Sequence, residues 1–420
     1  MVTQIRSFLI PILTVGIILG AAITIIAYGR GYRVTTDGSL KTTGLLVLSS
    51  EPSGASIVIE GKIKSATPTT LTLQPGIYDV TIAKEGFQSW QKRLKVQGEV
   101  VAKGEALLLP TNPSLTAITA SGVVHPSLSP DGSKLAYIVP EAAIATQSGS
   151  IATTKPGIWV LDLVDKPLGL NRDARQVAQN TAVNLSRATL TWSPDSKQLL
   201  AGISPTSNFL LEADQLNLSP RPVINIKLLQ SDWQKIKNQR QKEQLVTVPK
   251  LFTDVASTSA RIVSFSPDET KILYEATASA TIPAVITPPL IGTNPTQETR
   301  SIDVGNIYVY DVKEDRNYHL GLVSELLPKP EGALVKRTAP TTTELTQIIH
   351  WLPTSRHLVV VGKDNVTIMD YDGNNRRTAY AGPFWDAFAV PWASGGKIVI
   401  LTNLNSAASV VNNLYVVNLR

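Results

Sequence analysis

The chain has 420 residues, no cysteine and a net charge of +6, and 43% of its residues are hydrophobic. This length predicts two or three domains, and the lack of cysteine excludes disulfides and thiolate metal sites. This mild positive charge would favour binding to anionic surfaces such as cell-wall polymer or lipid head groups, but a role in solubility alone explains it as well.

The amino terminus carries the one long apolar stretch. Residues 8–28, FLIPILTVGIILGAAITIIAY, contain no charged side chain. At 1.5 Å per residue, a helix of this length is about 31 Å long, which is enough to cross a bilayer. No obvious A-x-A cleavage pattern is present, so we expect residues 1–7 to be a cytoplasmic leader and 8–28 an uncleaved transmembrane helix.

The orientation of this helix has two interpretations. Arg6 precedes it, whereas Arg30, Arg33 and Lys41 follow it, and the positive-inside rule alone would place the carboxyl-terminal side in the cytoplasm. A short basic leader before a long apolar run is nevertheless how a signal anchor begins, and long domains cross largely regardless of charge. We therefore expect extracytoplasmic domains, joined to the helix by a linker over residues 29–42.

Residues 43–109 have the pattern of a small β domain. Apolar and polar residues alternate, for example at Leu71/Leu73 and Tyr78/Val80, so one face of each strand is buried. The stretch carries five turn motifs: Ser50-x-Pro52-x-Gly54-Ala55, Glu60-Gly61, Thr67-Pro68, Pro75-Gly76-x-Tyr78-x-Val80 and Lys84-x-Gly86-Phe87. Together they resemble a PEGA domain, which implies a surface-exposed β-sandwich that acts as a spacer or wall-contact module, not as an enzyme.

A polar turn followed by an apolar strand recurs through residues 114–420. The clear copies are Ser129–Gly132, Ser193–Ser196 and Ser266–Glu269, each beginning Ser-Pro-Asp, and degenerate copies begin at Trp351 and Trp392. Repetition of this kind is typical of propellers, whose blades have four strands each. The copies resemble TolB-type, WD-repeat-like blades. This resemblance implies a β-propeller of about five blades, with room for a sixth in the inserted regions.

The second half of each blade is less regular. Four copies continue into β-branched and aromatic strands near residues 158–163, 306–312, 365–371 and 413–419, and for the second copy we assign Val223–Ile226. The last copy lacks an outer strand, while Ser114–Thr119 has the residues of a strand but no assigned partner. Because open sheet edges are unfavourable, we expect this segment to complete the last blade and close the ring.

Three insertions interrupt the repeats, at residues 228–250, 277–303 and 325–344. The first predicts a helix that begins near Ser231 or Asp232, ends at Leu245 and packs on the propeller flank through Trp233. Because it is basic, contact with lipid or polymer is the alternative. The other two are rich in proline and threonine, and we expect long mobile loops on a propeller face that contact the partner.

No catalytic, cofactor-binding or metal-binding pattern is present. The histidines lie far apart and none belongs to a metal-binding motif: His125, His319, His350 and His357. Asp370-x-Asp372-Gly373-Asn374 resembles the start of a calcium loop, but residue 381 is alanine where that loop needs glutamate, so a β-turn is the better interpretation.

The recurring residues of the repeat have structural interpretations. Asp131, Asp195 and Asp268 are typical turn formers. Four aromatic residues recur at one repeat position and are interpreted as core residues: Trp192, Phe265, Trp351 and Trp392.

The sequence as a whole predicts an all-β protein with one transmembrane helix. We expect a non-enzymatic, extracytoplasmic binding or scaffold protein of the cell membrane, whose partner is an envelope protein or a cell-wall polymer. We expect no nucleic acid and no small-molecule substrate. Two alternatives stay open: a cytoplasmic, membrane-tethered interaction platform, and an enzyme with an unrecognised site in the propeller channel.

Overall fold

A computed structural model describes residues 2–29, 31–34, 40–141, 155–165, 173–180, 184–326, 342–385, 387–404 and 411–420. Within these ranges, the side chains of residues 2–12, 33, 34, 40, 41, 342 and 343 are not described. The chain is mostly β, with few helices and many small sheets. It divides into two compact units, Met1–Leu108 with Thr287–Thr296, and Leu109–Ile286 with Gln297–Arg420.

The helices are α1 (Val2–Gly29), α2 (Ile226–Leu245), α3 (Lys250–Ser259), α4 (Val323–Leu326) and α5 (Thr342–Ile348). The strands of the first unit are β1 (Tyr32–Val34), β2 (Leu40–Thr42), β3 (Gly44–Glu51), β4 (Ser56–Ile59), β5 (Lys62–Ala66), β6 (Thr69–Leu73), β7 (Gly76–Ala83), β8 (Trp90–Val96) and β9 (Val101–Leu107).

The strands of the second unit are β10 (Leu115–Ala117), β11 (Val124–Leu128), β12 (Lys134–Val139), β13 (Gly157–Asp162), β14 (Arg175–Gln179), β15 (Thr189–Trp192), β16 (Gln198–Ser204), β17 (Ser207–Glu212), β18 (Arg221–Pro222), β19 (Ala260–Phe265), β20 (Lys271–Ala276), β21 (Ala280–Thr281), β22 (Ser301–Ile302), β23 (Asn306–Asp311), β24 (Arg316–Leu322), β25 (Ile349–Trp351), β26 (His357–Val361), β27 (Asn365–Asp370), β28 (Arg377–Ala381), β29 (Ala389–Pro391), β30 (Lys397–Thr402) and β31 (Asn413–Asn418).

α1 contains the apolar stretch near the amino terminus. Its large apolar side chains from residue 13 onward are exposed, with Ile17 at 63% and Ile25 at 70%. Among the residues that the structure describes, no helix meets the length and hydropathy that a membrane crossing requires. The segment predicted as a linker contains a short antiparallel hairpin, in which β1 pairs with β2.

The first unit is a β-sandwich, as predicted. One sheet has the strand order β6-β3-β9 and the other β5-β4-β7-β8. Both contribute to one buried core, which includes Leu46 and Leu48 from the first sheet and Ile57, Ile82 and Trp90 from the second. β3 and β9 pair in parallel, and this pairing joins the two ends of the domain.

The second unit contains five four-stranded antiparallel sheets. In chain order, the first is β11 to β14, the second β15 to β18, the third β19-β20-β23-β24 and the fourth β25 to β28. The fifth has the order β10-β31-β30-β29. The segment at Ser114–Thr119 therefore does complete the last sheet, as predicted, because β10 pairs with β31 from Leu115↔Val417 to Ala117↔Tyr415.

Neighbouring sheets bury their faces against each other. Ile138 and Val160 of the first sheet share a core with Leu199 and Leu211 of the second. A separate core joins the first sheet to the fifth: Leu135, Tyr137, Leu161, Val399 and Val416. β25 and β26 of the fourth sheet also contact β29 of the fifth. The apolar faces that single sheets would expose are thus covered by neighbouring repeats.

The assignment of Val223–Ile226 as a strand is wrong. The third strand of the second sheet is β17, which follows β16 after a tight turn and pairs with it from Gln198↔Glu212 onward. Asn225 instead caps α2, because its side chain accepts a hydrogen bond from the Leu228 amide at 3.0 Å. The helix therefore begins at Ile226, about one and a half turns before the predicted cap at Ser231 or Asp232.

Candidate interaction surface

The repeated turn has the same internal bonds in its clear copies. Ser129 Oγ donates to Asp131 Oδ1 at 2.6 Å and accepts from the Lys134 amide at 2.9 Å. The serine–aspartate bond recurs as Ser193–Asp195 at 2.6 Å and Ser266–Asp268 at 2.7 Å. The three aspartates are turn formers, as predicted.

Hydrogen bonds also favour the ionised form of these aspartates. For Asp195, the bond from Ser193 outweighs burial and lowers the carboxyl pKa. Around Asp131, burial opposes ionisation, but the bonds from Ser129 and Ser133 outweigh it and lower the pKa there too. Each carboxylate accepts hydrogen bonds from its own turn, so these carboxylates are poor candidates for acid–base chemistry.

The turns of adjacent sheets lie side by side. The Asp131 amide donates to Ser196 Oγ at 3.2 Å, which joins the first two sheets, and the Asp268 amide donates to Ser355 Oγ at 3.0 Å, which joins the third and fourth. The Ala393 amide of the fifth sheet donates to Leu163 O at 3.1 Å, next to the end of β13. We call this end of the five-sheet unit the turn end.

The other end of the sheets carries the insertions, and we call it the insertion end. In an up-and-down sheet, the link from the second to the third strand and the link to the next sheet both leave from the end opposite the first turn. Residues 277–303 leave from this end of the third sheet, between β20 and β23. α2 and α3 lie between β18 and β19, and α4 and α5 lie between β24 and β25.

α2 is unusual because it is exposed nearly all round. Trp233 is buried, as predicted, at 8% exposure. Every residue from 234 to 243 is exposed, including Ile236 at 53%. A polar helix without a buried face is stabilised by bonds along itself, here Gln234–Asn238 and Gln239–Glu243, both at 2.8 Å. The sequence signal for this exposure was the absence of an apolar stripe after Trp233.

Residues 277–303, predicted as a long loop, contain one short pair of strands and several ordered contacts with the third sheet. β21 pairs with β22, and Ile282 and Ile302 are buried. The Thr299 amide donates to Asn317 O at 2.8 Å, along the outer strand β24. The Val285 amide donates to Asp315 Oδ2 at 2.7 Å, so the segment follows the outer edge of the third sheet as far as the turn end.

Thr287–Thr296, the middle of this insertion, belongs to the first unit. The Gly292 amide donates to Gln97 Oε1 at 3.0 Å. Of the insertion predicted at 325–344, residues 327–341 lie outside the described residues. What the structure describes there is the end of α4, at Leu326, and the start of α5, at Thr342.

The histidines belong to separate places in the sheets. His319 Nε2 lies 2.7 Å from Asn306 Oδ1, and His350 Nε2 lies 2.9 Å from Gln347 O. Burial lowers the pKa of His350 to about 4, so this side chain is neutral at physiological pH. Over the described part of the chain, no group of three His, Cys, Asp or Glu side chains could hold a metal ion.

One cluster has the residue types of a nucleophilic triad. Thr354 Oγ1 lies 2.9 Å from His357 Nδ1, and His357 Nε2 lies 3.6 Å from Asp370 Oδ1. His357 and Asp370 are, however, opposite each other in the register of β26 and β27. The third sheet has Lys271 opposite Asp311 at the equivalent position, so the cluster is a variant of a repeated cross-strand pair.

The β-turn interpretation of the segment from Asp370 is confirmed. Asp370 to Asn374 form a turn, in which the Gly373 amide donates to Asp370 O at 3.0 Å and the Asp370 amide donates to Asn374 O at 2.9 Å.

Trp192 and Trp351 are buried at the shared repeat position, whereas Phe265 at that position is half-buried and packs against the core of the third sheet. Trp392 is buried too, but Pro391 occupies the shared position in the fifth sheet, because it lies opposite Ile398 as Trp192 lies opposite Leu199.

The motifs of the first unit are joined by hydrogen bonds around Thr67. Its Oγ1 accepts from the Ala55 amide at 3.0 Å and lies 2.6 Å from Ser50 Oγ. The Gly54 amide donates to Thr67 O at 2.8 Å, and Lys84 Nζ donates to Ser53 O at 2.6 Å. Residues that are far apart in the motif pattern therefore meet at one corner of the sandwich.

Residues 43–107 match the family model of the PEGA domain. We call residues 43–107 the PEGA domain, after the family whose model they match. The prediction from its turn motifs is thus confirmed, and the hydrogen bonds of Thr67 join Ser50, Gly54 and Ala55 of those motifs. No curated protein matches the chain.

Several solved structures are similar to this chain at low identity. A putative TolB from Agrobacterium tumefaciens has 13% identity and a TM-score of 0.21, with 68% of this chain and 76% of that chain covered. TolB from Acinetobacter baumannii has 12% identity and a TM-score of 0.19, with 81% and 59% covered. An oligogalacturonate lyase from Vibrio parahaemolyticus has 8% identity and a TM-score of 0.31, with 74% and 94% covered.

Proposed function

We propose that the protein is a membrane-anchored, non-enzymatic binding or scaffold protein whose domains face outward from the cell. The PEGA domain is its spacer or wall-contact module. The five-sheet unit is a β-propeller that presents a surface to another envelope protein or a polymer. The observation that carries this proposal is the order of parts: the PEGA domain follows closely after a helix whose residues 8–28 are apolar and uncharged.

The anchor is supported by the side chains of α1. Leu13, Ile17 and Ile25 are more than half exposed, and covering a large aliphatic side chain stabilises by about 1.5–3 kcal/mol. The uncharged stretch over residues 8–28 extends this apolar surface toward the amino terminus. Lipid is the solvent that would cover such a helix on all sides.

The propeller is supported by strand order and by neighbour contacts. Each sheet has the four-stranded, up-and-down order of a blade. Contacts join the fifth sheet to the first, the first to the second, the third to the fourth and the fourth to the fifth. The pairing of β10 with β31 completes the last blade with a strand from the start of the unit.

Protease treatment of intact cells tests the topology. We expect an added protease to cleave within residues 43–420 of the intact cell's protein, while a cytoplasmic marker protein stays whole. If this region resists until the cells are lysed, the outward orientation is wrong and the cytoplasmic, membrane-tethered alternative takes its place. Release of the protein by a salt wash would show that α1 is not an anchor.

The binding role is tested separately, by capture of partners on an immobilised fragment 43–420. We expect one envelope component to be retained in near-stoichiometric amount. The enzymatic alternative would gain support instead from turnover of an envelope polymer by the same fragment, with loss of turnover when polar residues of the central channel are replaced.

A further inference from the structure

The region Gln234–Glu243 of α2 carries more positive than negative charge. α2 as a whole has five Lys or Arg and two Asp or Glu residues. Lys235 Nζ is paired with Asp232 at 3.0 Å. Among the described residues, Lys237, Arg240 and Lys242 form no ion pair and are exposed. Three cations of the region Gln234–Glu243 therefore remain for an external anion.

These cations lie on two sides of the helix. At 100° per residue, Lys237 and Arg240 are about 60° apart and share one side, whereas Lys235 and Lys242 share the opposite side. A flat anionic surface would meet only one of these sides. A flexible linear polyanion could contact both.

The other classes of partner fit α2 less well. Its exposed apolar side chains, Leu228 and Ile236, are too few to enter a lipid bilayer. Trp233 is buried and α2 has no other aromatic residue, so there is no platform for nucleic-acid bases. Carboxylates of an acidic protein are bound best by Arg side chains, which contact both oxygens at once. Four of the five cations of α2 are Lys instead, and Lys binds phosphate as a point charge.

We propose that α2 binds a linear envelope polymer with phosphate groups along its backbone. Lys237, Arg240 and Lys242 neutralise its phosphates, and the exposure of residues 234–243 leaves room for the polymer to pass along the helix. This inference deepens the proposed function, because it names the partner class of the five-sheet unit and rests on the binding role proposed for it.

The test uses the full-length protein in detergent and fluorescent inorganic polyphosphate as the probe, with anisotropy as the readout. The K237Q/R240Q/K242Q variant removes the three cations but keeps good helix formers. We expect its affinity for polyphosphate to fall at least tenfold. Because each lost contact lowers the salt dependence by about 0.7, the slope of log K against log salt should fall by about 2.

A charge-matched control separates local binding from general attraction. K62Q/K64Q/K103Q removes three exposed lysines from the PEGA domain, so the net charge changes equally. We expect it to bind polyphosphate within about twofold of the unchanged protein. An equal loss in both variants, or no binding by the unchanged protein, would overturn the proposal.

Three further probes identify the partner class. Tighter binding of poly-glutamate than of polyphosphate would assign an acidic protein segment instead. Tighter binding of single-stranded DNA would assign a nucleic acid, and tighter binding of phosphatidylglycerol vesicles a lipid surface. Each of these outcomes overturns the proposal of a phosphate polymer as the partner. None of them bears on the membrane orientation, because protease treatment of cells tests that separately.

Discussion

Lys271 lies opposite Asp311 in the third sheet, with Nζ 3.8 Å from a carboxylate oxygen and both side chains buried. In each of the five four-stranded sheets of the second unit, the second and third strands have a polar pair at this register position: Lys134↔Asp162, Gln198↔Glu212, Lys271↔Asp311, His357↔Asp370 and Lys397↔Asn418. The repeat therefore includes a cross-strand pair at the turn end that local sequence similarity does not show.

Replacement of Lys271 by Met should destabilise the five-sheet unit by about 3–5 kcal/mol, because a buried carboxylate loses its cation. Burial raises the pKa of Asp311, and Lys271 opposes that rise, so the variant should raise the pKa further. A carboxyl group whose pKa is raised in the folded state makes the folded protein less stable as pH rises through that folded-state pKa. The difference in unfolding free energy between K271M and the unchanged protein, measured by denaturant unfolding, should therefore become smaller as pH falls.

Two further variants control this prediction. K271M/D311N should recover much of the loss, because no uncompensated charge remains. K313M changes an exposed lysine of the same hairpin and should alter the unfolding free energy by less than about 0.5 kcal/mol. A deficit in K271M that is constant with pH would show that lost packing, not charge, is responsible.

Replacement of Thr116 by Pro should open the fifth sheet. The Ile118 amide donates to Leu414 O and the Asn418 amide to Ser114 O, so the alternation of an antiparallel ladder makes Thr116 and Val416 a hydrogen-bonded pair. The lost bond should reduce the unfolding free energy by about 1–3 kcal/mol. Amide exchange in β31 should accelerate.

A117P is the matched control for T116P, because the amide of that residue points away from β31 in the same alternation. It should have the smaller effect on both stability and exchange. Equal protection of β31 in T116P and in the unchanged protein would show that β10 does not hold the fifth sheet.

Replacement of Glu269 by Gly should stabilise the third sheet's turn. Glu269 has φ +56°, and the equivalent residues of the other copies also have positive φ: Gly132, Ser196, Ser355 and Gly395. A residue with a Cβ is strained there, so glycine should add about 0.5–1 kcal/mol. E269A keeps the Cβ and loses only the bond from Gln244. It should therefore show no gain in thermal unfolding.

Replacement of Thr67 by Val should destabilise the PEGA domain by about 1–3 kcal/mol. The shape is kept, but the buried Ala55 amide loses its acceptor and Ser50 loses its hydroxyl partner. T70V changes an exposed threonine of β6 and should be nearly neutral. Thermal unfolding monitored at Trp90, which is in the core of this domain, distinguishes the two variants.

The sequence predicted the elements whose signals are local. The Ser-Pro-Asp turns, the buried tryptophans and the PEGA motifs are set by residues within a few positions of each other, and they were predicted correctly. The pairing of β10 with β31 was predicted for a different reason: one strand lacked a partner and one sheet lacked a strand.

Long-range pairings left weaker signals. The parallel pairing of β3 with β9 has no connecting turn that could mark it. Residues 277–303 looked like a loop because they are rich in proline and threonine, yet the segment is fixed by Asp315 and Asn317 of the outer strand. Val223–Ile226 has the β-branched residues of a strand, but Asn225 caps a helix that begins at Ile226. For α2, contact with lipid or polymer was only the alternative interpretation, because Trp233 favoured packing on the propeller flank.

The fifth sheet takes one strand from residues 115–117 and three from residues 389–418. During synthesis, β10 stays unpaired until its partner β31 has been made, almost three hundred residues later. Its unpaired edge is open to wrong pairing throughout that time. A chaperone that shields Leu115–Ala117 during synthesis should therefore raise the yield of folded protein more than one that acts on the later sheets.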